Sequence, residues 1–335
     1  MRRATFFTGE YYLNNRQFDI KDTIVNRDNC LYGSYLLKKR FEEKGIDLNT
    51  QDISLPSESD FILYNEMPRF TDFTDIVKEK ENYLLLFESE IIRPDNWDRK
   101  NHKYFKKIFT WNNDFVDNKK YIKYYWPNKI PEKLDSFTVQ KEKLCTMIVA
   151  NKFQKHPLEL YSERKKAILW FEKYHPGDFD LYGYGWDRYN FTGILRRLNR
   201  VRLLTALLSQ EYLVYKGPVE SKEKVLSKYK FAICYENAKD IPGYITEKIF
   251  DCFFASCVPV YLGAPNVTDY IPAETFIDRR KFKTYDELYR YMKNMTDEEY
   301  NKYLGAIKDF VHSDKIYPFS AECFAETICR EIVER

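Results

Sequence analysis

Glycine is scarce in this chain of 335 residues, with 11 in all, and Gly183 and Gly185 make only a G-x-G pair. A dinucleotide fingerprint needs a third glycine, so a nicotinamide-dependent oxidoreductase is disfavoured. Histidine is scarcer still: His102, His156, His175 and His312 complete the set, and no two have the spacing of metal ligands. The seven cysteines, Cys30, Cys145, Cys234, Cys252, Cys257, Cys323 and Cys329, are odd in number and form no C-x-x-C pair. That argues against a disulfide framework and against a zinc site, and most of them sit in apolar runs as small buried thiols. The net charge is only +3, which gives no reason to expect nucleic acid as a partner. No window approaches the ~20 apolar residues of a membrane span. The start, MRRATFFTGEYYLNN, has arginines but no apolar region behind them, so it does not read as a signal peptide. A cytoplasmic, reducing location is expected; a piece of a larger membrane-anchored protein is the alternative. D-x-D occurs once, at Asp178-Phe179-Asp180, and alternates into LYGYG, so a strand entry is expected there rather than a metal site.

What the chain does have is length and aromatics. Its 28 Tyr and 25 Phe can fill a large core, and its size suits two domains. The most informative stretch is Lys228–Gly263, KYKFAICYENAKDIPGYITEKIFDCFFASCVPVYLG. It predicts a strand, a polar turn with Pro242 and Gly243, a helix, and a second short strand. Thr246 suits the helix N-cap and Glu247 its first turn. Ile249, Phe250, Phe253 and Phe254 have helical spacing, and Val258–Leu262 is β-rich. Strand, helix, strand in that order is a βαβ unit with parallel strands. Glu236, Asn237, Tyr244, Thr246, Glu247 and Lys248 collect at its mouth. A helix N-terminus beside a lysine suits a pyrophosphate, and an adjacent carboxylate can hold a ribose diol. An ordinary surface loop is the competing reading of the same residues.

The run ENAKDIPGYITEKIFD, followed by VPVYLG and YIPAETFID, resembles the signature of the α-1,3/4-fucosyltransferases. Glu-Asn, Tyr-Ile-Thr-Glu-Lys, an apolar helix, Val-Pro-Val, a glycine and a later Ile-Pro all occur in order. The resemblance implies an α/β fold of two Rossmann-like domains facing a cleft, the GT-B architecture. Its N-terminal domain takes the acceptor and its C-terminal domain takes the nucleotide sugar.

The rest of the sequence agrees with two α/β halves. Ser34–Glu43 predicts a helix; Asp60–Tyr64, Tyr83–Phe87 and Lys107–Thr110 predict strands. Pro127–Phe137 is polar, holds two prolines and reads as a linker. Leu144–Ala150, then a helix over Ser162–Tyr174, then strand Phe179–Gly183 begin a second series. The expected domains are therefore 1–138 for the acceptor and 139–335 for the nucleotide sugar. Helices are expected after Tyr303 and over Ala321–Val333, and in the resembled architecture a C-terminal helix often crosses back to the first domain.

Inverting glycosyl transfer needs a base for the acceptor hydroxyl and positive charge on the leaving pyrophosphate. Glu88 ends the apolar strand of YLLLFESEIIRP, where open α/β sheets place ligands, and burial there would strengthen it as a base. The resemblance makes it the general base, although Glu90 stands where the family has proline. Glu90 points the same way only if the strand continues. Lys248 is the first expected stabiliser of the leaving group. Arg164, early in the helix after LCTMIVAN, is the second, and Asn151 matches the family's asparagine after that strand. The insert between Asn151 and Arg164 is longer than the family pattern. The resemblance also gives Glu247 to the ribose hydroxyls, and Tyr244, Asn237 and Thr246 to the donor pocket. Glu236 could instead support Lys248.

Residues 189–212, YNFTGILRRLNRVRLLTALLSQEY, have no counterpart in the resemblance. Ile194, Leu195, Leu198, Val201, Leu204 and Leu208 fall near one helical face, with Arg196, Arg197, Arg200 and Arg202 largely off it. A helix packed on the domain with a solvated basic edge is expected; a peripheral membrane contact is the alternative. The whole predicts an inverting, metal-independent glycosyltransferase. It would move L-fucose from GDP-fucose to O3 of an N-acetylglucosamine-containing glycan. A different sugar nucleotide, or an inactive glycan- or nucleotide-binding protein, is the rival.

Overall fold

The structure is a computed structural model that describes residues 2–69, 79–134, 140–189, 191 and 193–334. The end of the expected linker and the 138/139 boundary fall outside those residues, as do the side chains of Ile194, Arg196 and Arg202. The chain divides into two compact units.

The first unit comprises Met1–Ile130, Ile241–Glu247 and Ser313–Arg335. Its strands are β1 (Arg2–Phe7), β2 (Ile46–Thr50), β3 (Phe61–Asn65), β4 (Glu81–Leu86), β5 (Lys107–Thr110) and β6 (Tyr121–Lys123), and helix α1 is Tyr32–Glu43. They form one sheet in the order β2-β1-β3-β4-β5-β6, with every neighbouring pair parallel. Strands covered on both faces read as continuous apolar runs, and Phe61–Tyr64 and Tyr83–Leu86 are buried throughout.

The second unit comprises Pro131–Asp240 and Lys248–His312. It contains β7 (Lys143–Ile148), α2 (Tyr161–Tyr174), β8 (Phe179–Tyr182), α3 (Arg202–Leu207), α4 (Lys222–Leu226) and β9 (Tyr229–Tyr235). Helix α5 (Glu247–Phe254), which belongs to this unit from Lys248 on, β10 (Val258–Leu262), β11 (Ile277–Asp278), α6 (Tyr285–Asn294) and α7 (Asp297–Val311) follow. The sheet runs β11-β10-β9-β7-β8, again parallel throughout. Its centre is the predicted βαβ unit, and α5 begins one residue after Thr246. Two parallel α/β units are the Rossmann-like pair that the sequence predicts.

Helix α8 (Ala321–Val333) belongs to the first unit. Ser320 caps it by accepting from the Cys323 N–H at 3.0 Å, and Phe324, Ala325, Ile328 and Ile332 face inward. Arg40 of α1 pairs with Glu326 at 2.9 Å, and Lys107 of β5 pairs with Glu331 at 2.8 Å.

The single helix expected over 189–212 is not formed. A 3-10 stretch, Gly193–Arg200, breaks at Val201 before the short α3. The Asn199 side chain bonds both the N–H and the C=O of Phe191, at 2.7 and 2.9 Å, and this local pairing competes with a continuous helix. Packing on the domain is partial: of the expected apolar face Leu198 and Leu204 are half-buried, whereas Leu195, Val201 and Leu208 are exposed, as are Leu203 and Leu207.

Candidate active site

Glu88 lies two residues beyond the C-terminal end of β4 and is half-buried. Side chains grip the backbone on both sides of it, Trp111 and Tyr124 buried and Glu66 and Trp97 half-buried. The Phe87 and Glu88 N–H groups donate to Glu66 Oε1 at 3.0 and 2.7 Å. The Phe87 carbonyl accepts from Trp111 Nε1 at 2.7 Å, and the Glu88 carbonyl from Trp97 Nε1 at 3.0 Å. Tyr124 donates to the Leu86 carbonyl at 2.9 Å. The strand does not continue, so Glu90 is freed from the alternation and is exposed.

The loop Ile241–Glu247 belongs to this same unit. The Asn113 N–H donates to the Pro242 carbonyl at 3.2 Å, and the Tyr244 ring lies 4.6 Å from that of Trp111. Gly243 has φ 82°, and a Cβ on it would fall 2.5 Å from the Trp111 carbonyl, so both backbone angle and space demand glycine. Lys123 donates to the Trp111 carbonyl and to Asn113 Oδ1, each at 2.5 Å, and burial pushes its pKa down to about 8. Thr246 is buried and Glu247 half-buried.

In the second unit, Lys248 donates to Glu236 Oε2 at 3.1 Å. Glu236 follows β9 and is fully buried, whereas the Lys248 side chain is 22% exposed. A buried carboxylate thus holds a partly exposed lysine beside the end of β9, where α/β sheets bind ligands. Gly263 explains the glycine of the motif: a Cβ there would lie 2.5 Å from the Tyr261 hydroxyl and 2.6 Å from Glu236 Cγ.

Arg164 is not the solvated helix residue that it would be by position alone. Tyr161, Arg164, Ile168 and Phe171 form the buried stripe of α2. Arg164 NH2 donates to the Tyr235 carbonyl at 2.6 Å and to Asn237 Oδ1 at 3.0 Å. The structure therefore brings two expected donor residues, Arg164 and Asn237, together at the end of β9. The long insert before α2 lies along the same loop: the Leu160 N–H donates to the Asn237 carbonyl at 3.0 Å, and the Lys239 N–H to the Leu158 carbonyl at 2.9 Å. Asn151 donates to the Gly185 carbonyl at 3.0 Å.

The D-x-D pair is consumed by cations. Asp178 takes Lys293 at 2.8 Å and Tyr289 at 2.7 Å; Asp180 takes Lys143 at 2.5 Å and Tyr229 at 2.6 Å. These partners hold both carboxyls below their ordinary pKa against the effect of burial. Among the described residues, no group of three or more His, Cys, Asp or Glu could hold a metal ion.

Residues 138–332 match the model of glycosyltransferase family 10 (fucosyltransferase), C-terminal part, over more than half of the chain. The chain belongs to glycosyltransferase family 10. Relatives of this family 10 chain include the alpha-(1,3)-fucosyltransferase FucT of Helicobacter pylori, 38% identical over 89 residues, which are 27% of this chain and 18% of that protein. The 4-galactosyl-N-acetylglucosaminide 3-alpha-L-fucosyltransferase 9 of Mus musculus is 40% identical over 91 residues, covering 25% of this chain and 24% of the relative. The matched stretches thus span about a fifth of these relatives' own length. In fold, the family 10 chain is similar to a crystal structure of alpha1,3-fucosyltransferase with GDP. The TM-score is 0.56 at 14% identity, over 98% of this chain and 89% of that one. It is equally similar to Anabaena Alr3699/HepE in complex with UDP-glucose, with a TM-score of 0.58 at 9% identity over the whole of both chains. The fold alone therefore does not choose a donor.

Sequence reasoning missed Glu66, Asn96, Trp97 and Trp111, which position the loop of Glu88. Glu66 carried a readable signal. FILYNE ends in a carboxylate after an apolar strand, as YLLLFE does, and β3 and β4 are neighbours in register. The two tryptophans carried none, because their indoles reach the loop only through tertiary packing.

Proposed function

We propose that this chain transfers L-fucose from GDP-fucose to O3 of an N-acetylglucosamine unit in a glycan, with inversion and without a metal. The observation that carries the reading is Lys248, aimed by the buried Glu236 at 3.1 Å within the family motif. In the proposed step the Glu88 carboxylate takes the proton of the acceptor hydroxyl. That oxygen bonds to the anomeric carbon of fucose, and the bond from the anomeric carbon to the pyrophosphate oxygen breaks. GDP leaves with the electron pair, stabilised by Lys248 and Arg164. Glu247 is assigned to the ribose hydroxyls, with Tyr244, Thr246, Asn237 and Asn151 shaping the donor pocket. The lysine and arginine supply the charge that a metal supplies elsewhere.

The test is steady-state transfer by Glu88→Gln and Lys248→Ala, with product linkage analysis. General-base loss lowers turnover about a hundredfold to ten-thousandfold, and GDP affinity stays near wild type in Glu88→Gln. Lys248→Ala loses donor affinity or turnover by about tenfold to a hundredfold. Wild-type turnover in Glu88→Gln removes it as the base. Selective stabilisation by a uridine nucleotide sugar overturns GDP-fucose as the donor, and no stabilisation by any nucleotide favours an inactive binding protein.

We also propose that residues 193–213 rest on an anionic lipid surface, and that the chain works in the cytoplasm at such a surface. Leu203, Leu207 and Leu213 are 73–76% exposed, and Arg197 and Arg200 are exposed beside them. No acid occurs from Tyr189 to Gln210 and Glu211 is the one acid within residues 193–213, so the patch pairs apolar side chains with an excess of positive charge. Wild type should float with phosphatidylserine-containing vesicles, less so at high salt, and Leu203→Asp with Leu207→Asp should stay in solution. Failure of wild type to float, or a concentration-dependent dimer that the double variant abolishes, overturns the lipid assignment.

A further inference from the structure

The strongest chemistry outside the assigned residues is a second carboxylate directly behind the first. Glu66 stands at the end of β3, with its backbone in the left-handed region at φ 75°. A side chain other than glycine is uncommon there, and such a conformation persists only where surrounding contacts hold it. The contacts are present. Glu66 Oε1 accepts both the Phe87 and the Glu88 N–H, at 3.0 and 2.7 Å, and Oε2 accepts from Asn96 Nδ2. Asn96 is itself fully buried and its amide has one orientation. Its Oδ1 accepts the Met67 N–H at 2.9 Å, and its Nδ2 also faces the Glu88 carbonyl at 3.4 Å. So Glu66 meets N–H donors at both oxygens, as only an ionised carboxylate can satisfy fully.

We propose that ionised Glu66 is the positioning residue of the site, holding the two peptide N–H groups that set where the Glu88 carboxylate stands. This rests on the reading of Glu88 as the base. When Glu66 is protonated at Oε2, its hydroxyl meets the Asn96 amide hydrogens, and the grip on the Glu88 loop loosens. Burial, and then the charge of Glu88, push its pKa up, whereas the Glu88 N–H, Asn96 and Arg93 oppose the rise; it comes to about 7. Tyr124 also faces the pair, and burial raises it well above its ordinary value, so it stays neutral. His102 is reached only through Asn96, whose carbonyl lies 2.8 Å from its Nε2. Turnover should therefore climb through neutrality as Glu66 loses its proton.

The experiment is the pH profile of turnover for the full chain, alongside GDP affinity. Glu66→Gln keeps an acceptor for the two N–H groups but sets an amide against Asn96, as the protonated acid does. Turnover at alkaline pH should fall by about tenfold to a hundredfold, the size of a displaced reacting group. The rise near neutrality should vanish, and GDP affinity should hold. Asn96→Asp keeps the Met67 bond and puts a second anion beside Oε2, so the rise should move to higher pH. An unchanged profile in either folded variant, with Glu88→Gln inactive, overturns the role of Glu66. Activity in Glu88→Gln overturns the base assignment itself. If Glu66→Gln does not fold, an unmoved midpoint in Asn96→Asp still decides against the inference.

Discussion

The position of Glu66 carries a measurable cost in stability. Its folded pKa of about 7 lies above its ordinary value of 4.5. Below the lower value it is protonated in both states and contributes nothing to pH dependence. Between the two values the unfolded chain gives up the proton while the folded chain keeps it, so stability falls as pH rises. The loss is complete above the folded pKa and amounts to about 3 kcal/mol. Urea unfolding at pH 5 and pH 8 should show wild type losing stability relative to Glu66→Gln. Parallel pH dependence in the two proteins would mean that Glu66 is not shifted. Arg164 shows the same scale from the other side: a guanidinium on the buried stripe of α2 is tolerable because carbonyl oxygens from the end of β9 receive it.

At the scale of elements, the C-terminal helix is part of the machinery that seats Glu88. Phe324 of α8 is 2% exposed; its ring lies 5.8 Å from that of Phe87 and 5.4 Å from that of Tyr124. Phe324→Ala opens a cavity there and should cost about 3–5 kcal/mol, read as a lowered urea midpoint. Because Phe87 adjoins Glu88, turnover at temperatures where the variant is folded should fall too, with GDP affinity retained. Loss of stability with full turnover would show that the helix supports the fold and not the base. The short segments after Tyr189 behave differently. Leu203 is 73% exposed, so Leu203→Asp should leave the melting temperature of the chain nearly unchanged.

At the scale of the molecule, the two units hold different parts of the proposed reaction. Glu88 and the Ile241–Glu247 loop belong to one, and Arg164, Asn237 and Lys248 to the other. GDP at a hundred times its dissociation constant should stabilise the folded state by about 2.7 kcal/mol, read as a raised melting temperature. Exhaustive chelation should leave both that rise and turnover intact. Asp178 and Asp180, the residues a metal would need, are instead held by Lys293 and Lys143. Activity lost on chelation and restored by manganese would overturn the metal-free mechanism.

Periodicity and punctuation determined the elements that stand on local physics. The apolar run of FAICY, the turn at Pro242-Gly243 and the helical spacing of Ile249, Phe250 and Phe253 declare a βαβ unit without help from the rest of the chain. A carboxylate after an apolar strand singled out Glu88, and a lysine in the first turn of a helix singled out Lys248, because both positions are set by local pattern; the role of Glu88 as base came from the resemblance. What depended on distant packing was not legible. Neither the burial of Arg164, the grip of Trp97 and Trp111 on the Glu88 loop, nor the left-handed Glu66 is a property of neighbours in sequence. The break of the 189–212 segment was hidden for the opposite reason. A helical pattern predicts a helix only when something buries its apolar face, and Leu195, Val201 and Leu208 of that face are exposed. Only the tertiary structure brought the Glu66 carboxylate onto the Phe87 and Glu88 N–H groups, because that contact joins the ends of two neighbouring strands.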